Sequence, residues 1–223
     1  MCIICVKKKG VDLPSEEIIS NMWDRNSDGA GIAIAKEGKV EIFKGFMQKE
    51  PFMNYMDYIR KRYNDNAMLL HFRIATHGQV IQECCHPFRV NNDTVFCHNG
   101  ILHYEYGVDK TSLKSDTMMF NEKILRKLKK TELDSMMEGK NEVLKELLEG
   151  YIGDRNKMIL LNSKDQVQIL NEKAGIWDKG IWYSNSSYKK REVVTYNYSF
   201  WQGGYWDNKT QEWMFWDKKT QTY

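Results

Sequence analysis

Cys2-Ile3-Ile4-Cys5-Val6, at the start of the chain, is a short apolar run rich in β-branched residues. Residues 2–7 therefore read as a buried strand, which must lie inside a larger sheet structure before entering a polar lysine turn. The same run places a cysteine directly after Met1. Cysteine is small enough to permit removal of the initiator, which leaves a thiol and a free α-amine on one residue. An α-amine titrates near about 7.7–8.0 and a free thiol near about 8.5. Near neutral pH the amine of Cys2 can therefore serve as general base for its own nucleophile.

At 223 residues the chain suits one domain, or a domain with an appendage, and can bury a sizeable core. Its net charge of +3 is small and spread along the sequence, so neither nucleic acid nor an anionic membrane surface is expected as a partner. No apolar run approaches the ~18 residues of a membrane span. Lys7 to Lys9 follow the first apolar run rather than precede a longer one, so no signal peptide is expected and the cytoplasm is the expected location. The five cysteines, an odd number, then read as free thiols. Cys2 and Cys5 with Cys84-Cys85-His86 and Cys97-His98 form a conceivable zinc set, but a strand would turn residues 2 and 5 to opposite faces. No metal or cofactor is expected.

Further along, Leu13-Pro14-Ser15-Glu16-Glu17 starts a short helix, and Ala30 to Ala35 and Lys39 to Lys44 are strands joined at Glu37-Gly38. Pro51 to Tyr63 has helical spacing, with Phe52, Tyr55, Met56 and Ile59 on one face. Ala67 to Phe72 and Thr94 to Cys97 read as strands. Ser115 to Glu149 reads as helix in two pieces, broken near Gly139 and Asn141. Lys157 to Leu161, Gln166 to Leu170 and Gly180 to Ser184 are further strands. Strands, then helices, then more strands predict an α+β fold with antiparallel sheets inside and helices outside.

Three polar clusters fall at strand ends, where a rigid scaffold can aim side chains into one cleft. His71-Phe72-Arg73-Ile74-Ala75-Thr76-His77-Gly78 offers a planar guanidinium fork for a carboxylate, with hydroxyl and backbone donors beside it. His98-Asn99-Gly100 pairs a side-chain amide with a glycine N–H, the two donors that an oxyanion hole requires. Lys114-Ser115-Asp116-Thr117 combines a helix N-cap at Ser115 with a carboxylate able to hold an ammonium group. Each has an ordinary structural reading by itself, as turn, cap or hydrogen-bonding histidine. With Cys2 they supply the groups needed to bind a free α-amino acid and attack its side-chain amide.

In this order the chain resembles the class II glutamine amidotransferases of the N-terminal-nucleophile hydrolase superfamily. The resemblance spans roughly residues 2–185 and rests on Cys2, Arg25-Asn26-Ser27-Asp28-Gly29-Ala30-Gly31-Ile32-Ala33, the cluster from His71 to Gly78, His86-Pro87-Phe88, His98-Asn99-Gly100 and Ser115-Asp116-Thr117. It implies a four-layer αββα sandwich with glutamine bound at one end of the central sheets. It implies Cys2 as nucleophile with its α-amine as base, and Asn99 with the Gly100 N–H as oxyanion hole. Arg73 would bind the glutamine α-carboxylate, helped by Thr76 and His77, and Asp116 the α-ammonium. Asp28 would pack beside the nucleophile, and His86 would order the adjacent loop.

Members of this family commonly carry a second large domain that consumes the ammonia. Beyond residue 185 this chain has no phosphate-binding glycine loop and no Walker-type lysine, so a separate acceptor synthase is the expected partner. Asn26 stands where sugar-amidating relatives commonly have glycine, which points to the compact stand-alone members. Two alternatives stay open: an amidohydrolase of another γ-glutamyl compound, and a non-catalytic binding protein. Residues 186–223 read as an aromatic-rich β-hairpin extension, in which Trp206-Asp207-Asn208-Lys209-Thr210-Gln211 nearly recurs as Trp216-Asp217-Lys218-Lys219-Thr220-Gln221. It would cover a sheet edge, or dock a partner or a second copy of the chain as a homo-oligomer.

Overall fold

The computed structural model describes residues 2–75, 79–102 and 113–190, with the backbone of 204–207 and 212–215. In chain order these residues form β1 (Ile3–Lys7), α1 (Glu16–Arg25), β2 (Ala30–Lys36), β3 (Lys39–Phe46), α2 (Lys49–Tyr63) and β4 (Met68–Phe72). Next come β5 (Phe88–Arg89), β6 (Thr94–Asn99), α3 (Asp116–Lys123), α4 (Lys130–Met137) and α5 (Glu142–Ile152). The last are β7 (Lys157–Asn162), β8 (Val167–Leu170), β9 (Ile176–Asp178), β10 (Ile181–Tyr183), β11 (Gly204–Asp207) and β12 (Glu212–Phe215). The chain divides into two units, Met1–Lys190 and Arg191–Tyr223.

The first unit is a mixed α and β structure on two antiparallel sheets. One has six strands in the order β3-β2-β4-β1-β10-β9, the other four in the order β5-β6-β7-β8. All five residues of β1 are buried, because the strand is internal to its sheet and both faces are covered. Ile3 and Cys5 join a core that includes Ile19, Met22 and Trp23 of α1 and Phe52, Met56 and Ile59 of α2. Ile4 and Val6 point the other way, into a layer shared with Val95, Cys97, Ile159 and Leu161 of the second sheet. That sheet's opposite face, with Phe96, Met158 and Leu160, packs on Phe120 of α3, Leu133 and Met136 of α4 and Leu148 of α5.

Local chemistry explains several boundaries. The Ser15 side chain accepts the Ile18 N–H and caps α1, whose first turn carries Glu16 and Glu17. Glu37 (φ 50°) and Gly38 (φ 75°) are both left-handed, the geometry a two-residue hairpin needs between β2 and β3. Lys7 ends β1 as expected, fully buried, with Nζ donating to the carbonyl of Asn66 at 2.6 Å. One expectation changes. Residues 115–149 form three α-helices rather than two pieces, since a 3-10 turn at Leu125–Lys127 and an extended Leu128 part α3 from α4. Three residues per 3-10 turn keeps Leu125 and Leu128 on the same side, and both pack in the second sheet's core.

In the second unit β11 and β12 pair antiparallel, with Trp206 opposite Trp213 in the register. The other half of the predicted repeat, residues 216–221, lies outside the described residues.

At Gly31 a Cβ would stand 2.0 Å from the His86 carbonyl oxygen, so β2 runs directly against the backbone that leads into β5. Gly31→Ala must push that backbone away, with an expected cost of about 1–3 kcal/mol. Thermal unfolding should record a Tm lower by roughly 2–4 °C per kcal/mol; an unchanged Tm would rule out this contact.

Candidate active site

The N-terminal end of β1 sets the position of Cys2. Its thiol is half-buried against the segment leaving β4, where the Ile74 N–H donates to Sγ at 3.3 Å and the Ile74 carbonyl lies at 3.3 Å to accept from the thiol. The Cys2 carbonyl accepts from Asn185 Nδ2 at 2.7 Å. Burial pushes the thiol up from its ordinary range, against lowering by the Ile74 N–H, the Arg73 guanidinium and the chain-terminal ammonium. Cys5 and Cys97, fully buried, have thiols pushed up by desolvation as well, and no group opens them to solvent.

Asp28 braces this segment. Its Oδ2 accepts the Ala75 N–H at 2.8 Å, its own N–H donates to the Arg73 carbonyl at 2.9 Å, and the Arg73 N–H reaches the Gly29 carbonyl at 2.8 Å. The loop after α1 therefore holds residues 73–75 beside the cysteine. A small cleft, open to solvent, is lined by Cys2, Arg73, Cys84, His86, Gly100 and Asp116 among others. Arg73 is nearly fully buried in its wall. Asp116, the first residue of α3, accepts the Leu102 N–H on Oδ2 at 2.8 Å and the Thr117 N–H on Oδ1 at 2.7 Å.

The structure thus brings Cys2, Arg73, His86, Gly100 and Asp116 to one cleft. Asn99 is not among the lining residues: its amide is buried and lies 2.8 Å from Ser184 Oγ. Thr76 and His77 lie outside the described residues. Gly100 has φ +147°, and a Cβ there would meet Asn156 Oδ1 at 2.1 Å, so the position demands glycine.

Asn156 belongs to a network that the sequence did not point to. Its Nδ2 donates to the Ile152 carbonyl at 2.6 Å, which turns Oδ1 toward His98 Nε2 at 2.9 Å. His98 must then carry its proton on Nε2, and Nδ1 accepts from the Thr117 hydroxyl at 2.9 Å. The His98 N–H donates to His86 Nδ1 at 3.2 Å, and the His86 ring lies 4.0 Å, centroid to centroid, from that of His71. Among the described residues neither ring nitrogen of His71 makes a well-formed hydrogen bond, and a weak pull from the His98 backbone does not offset its desolvation. Only the His-Asn-Gly and His-Pro-Phe spacings hint at this cluster; Asn156 and Ser184 carry no local signal at all.

No protein-family model matches the chain, and no curated protein does. Two solved structures are similar to it. One is the glutamine phosphoribosylpyrophosphate amidotransferase of B. subtilis complexed with ADP and GMP, at a TM-score of 0.48 and 16% identity, over 82% of this chain and 41% of that one. The other is a glutamine aminotransferase class-II domain protein of Silicibacter pomeroyi, at a TM-score of 0.39 and 12% identity, over 73% of each chain. The chain thus spans less than half the length of the first.

Desolvation, with the positive charge of Arg73 and Lys44 nearby, lowers His71 to about 3 and holds His86 well below the ordinary histidine range; His98 is lowered too, desolvation outweighing Asp116. In the unfolded chain these rings protonate near about 6.5. Below that pH the unfolded state binds more protons than the folded one, so through His71 stability is lost as pH falls from about 6.5 toward 3, by up to about 1.4 kcal/mol per pH unit, and His86 and His98 act in the same direction. Denaturant unfolding at pH 7, 6 and 5 should show this fall, and His71→Phe should reduce its slope; a flat profile would mean that the rings are solvated.

Proposed function

We propose that the chain is a glutamine-hydrolysing amidotransferase of class II, a four-layer αββα sandwich of the N-terminal-nucleophile type whose nucleophile is Cys2 after loss of Met1. What supports this reading above all is one cleft that collects a thiol, a guanidinium, a glycine at an oxyanion position and a carboxylate from four distant stretches of sequence. An α-amino acid offers a carboxylate for Arg73, an ammonium for Asp116 and, several atoms away, an amide for the thiol. Thr76 and His77 would complete the carboxylate site.

In the proposed reaction the α-amine of Cys2 takes the thiol proton. The ammonium so formed lies beside the thiolate and offsets the burial that disfavours it. The sulfur adds to the γ-carbonyl carbon, and the resulting oxyanion is held by the Asn99 amide and the Gly100 N–H. Collapse breaks the C–N bond, ammonia leaves with the proton returned by the α-ammonium, and a γ-glutamyl thioester remains. Water then attacks the thioester, releasing glutamate and restoring the thiol. Asp28 holds the segment against which the thiol rests, and His86 orders the loop beside it. The ammonia passes to a separate acceptor enzyme.

The processed protein should release glutamate from glutamine, with the rate rising as pH passes through about 7.7–8.0, where an α-amine loses its proton. Cys2→Ala should abolish release, and a form whose mass shows Met1 retained should be inactive. Glutamate release no greater than that of Cys2→Ala would refute the reading, and a clear preference for another γ-glutamyl amide would replace the substrate. Asn99→Ala should slow turnover by about a hundred- to a thousandfold while glutamine still binds, as loss of one oxyanion donor does.

A further inference from the structure

Ser184, immediately after β10, is fully buried and meets two functional segments at once. Its N–H donates to the Ile4 carbonyl at 2.9 Å, and its Oγ accepts the Ile4 N–H at 2.9 Å. The same Oγ lies 2.8 Å from the Asn99 amide. Strand alternation puts all three relevant side chains in one layer. Ile4 and Val6 face the space between the sheets, so Cys2 does; Val95 and Cys97 face it, so Asn99 does; Trp182 faces it, so Ser184 does. Ser184 pairs with Ile4, so Cys2 is its diagonal neighbour on that face, at about 7–8 Å for such a pair.

The orientation of the Asn99 amide follows from counting protons. With Nδ2 toward Ser184, the hydroxyl oxygen accepts twice, its own proton has no acceptor among the described residues, and Asn99 Oδ1 is a buried acceptor without a donor among them. The two ends of an amide are nearly equal in size, so partners decide which faces which. Turning the amide over satisfies both orphans: Ile4 N–H donates to Ser184 Oγ, and Ser184 O–H donates to Asn99 Oδ1. The NH₂ group then takes the buried position that has no partner among the described residues, which leaves its two protons for an acceptor from outside them.

We propose that Ser184 is a positioning residue, its hydroxyl fixing the Asn99 amide with oxygen toward Ser184 and nitrogen toward the layer that Cys2 faces. The relay makes the backbone of the nucleophile's own strand decide how the oxyanion donor points. The purpose of that orientation rests on the amidotransferase reading; the orientation itself does not.

A neutron crystal structure of the full chain decides the orientation independently of any activity. Deuterium on Ser184 Oγ pointing to an Asn99 atom without deuterium is the expected result; a deuterated Asn99 Nδ2 facing Ser184 overturns the proposal. Kinetics supply the second arm. Ser184→Ala should lower kcat for glutamine at least tenfold with KM changed less than twofold, and Ser184→Thr, which keeps the hydroxyl, should recover most of the loss. A matched Tm for the two variants guards against a folding defect. Equal kcat in Ser184→Ala and wild type would overturn the proposal. A wild type without glutaminase activity would instead refute the amidotransferase reading, and the deuterium map would still decide the orientation.

Discussion

The placement of β1 between β4 and β10 is the constraint on which the rest of the molecule depends. Five consecutive buried residues pair on one side with residues 68–72, and on the other their C-terminal three pair with residues 181–183. The ladder leaves the residue before it little freedom. Cys2 is held by its carbonyl on Asn185 and by its sulfur on Ile74, one contact from each flanking segment. A side chain anchored this way needs no loop of its own to aim it.

The second constraint is dryness. The wall of the cleft contains rings and thiols whose charged forms are disfavoured by burial, and the cluster of His71, His86 and His98 is neutral for that reason. A neutral imidazole is one donor and one acceptor, so such rings can link backbone and side chains where a charge could not be tolerated. His98 does this in full: it joins Thr117 on α3, Asn156 before β7 and the ring of His86. The same Asn156 closes on Gly100, so the turn after β6 is shaped from beneath by a side chain 56 residues later in the chain.

What could be read from the sequence was local. The buried run at Ile3–Val6, the caps at Ser15 and Ser115, the Glu37-Gly38 turn and the helical spacing from Pro51 to Tyr63 each carry their signal within a few residues. The two-residue strand at Phe88–Arg89 and the three-residue strand at Ile176–Asp178 are too short for any period to show. The break after Lys123 has no Gly or Pro to announce it; packing of Leu125 and Leu128 decides it. Lys7 could be placed in the strand, but nothing local discloses that carbonyls at residues 64 and 66 will receive its charge. Of the site, residue types were legible and partners were not. Asn99 stands next to Gly100 in sequence, yet its amide lies against Ser184 and outside the cleft lining.

These long separations bear on how the site comes into being. Cys2 contacts residues 74 and 185, and Asn99 contacts residue 184, so no part of the site is complete in a nascent N-terminal half. Non-local pairings form only after loop-closure entropy has been overcome, and β10 is the last strand of the first unit to be available for pairing. Its docking against β1 completes the larger sheet's interior, seats Ser184 beneath Asn99 and ties Asn185 to Cys2. The polar contacts of Cys2 and of the Asn99 amide are therefore consequences of closing the sheet, and a chain that has not closed it has the cysteine but not its partners.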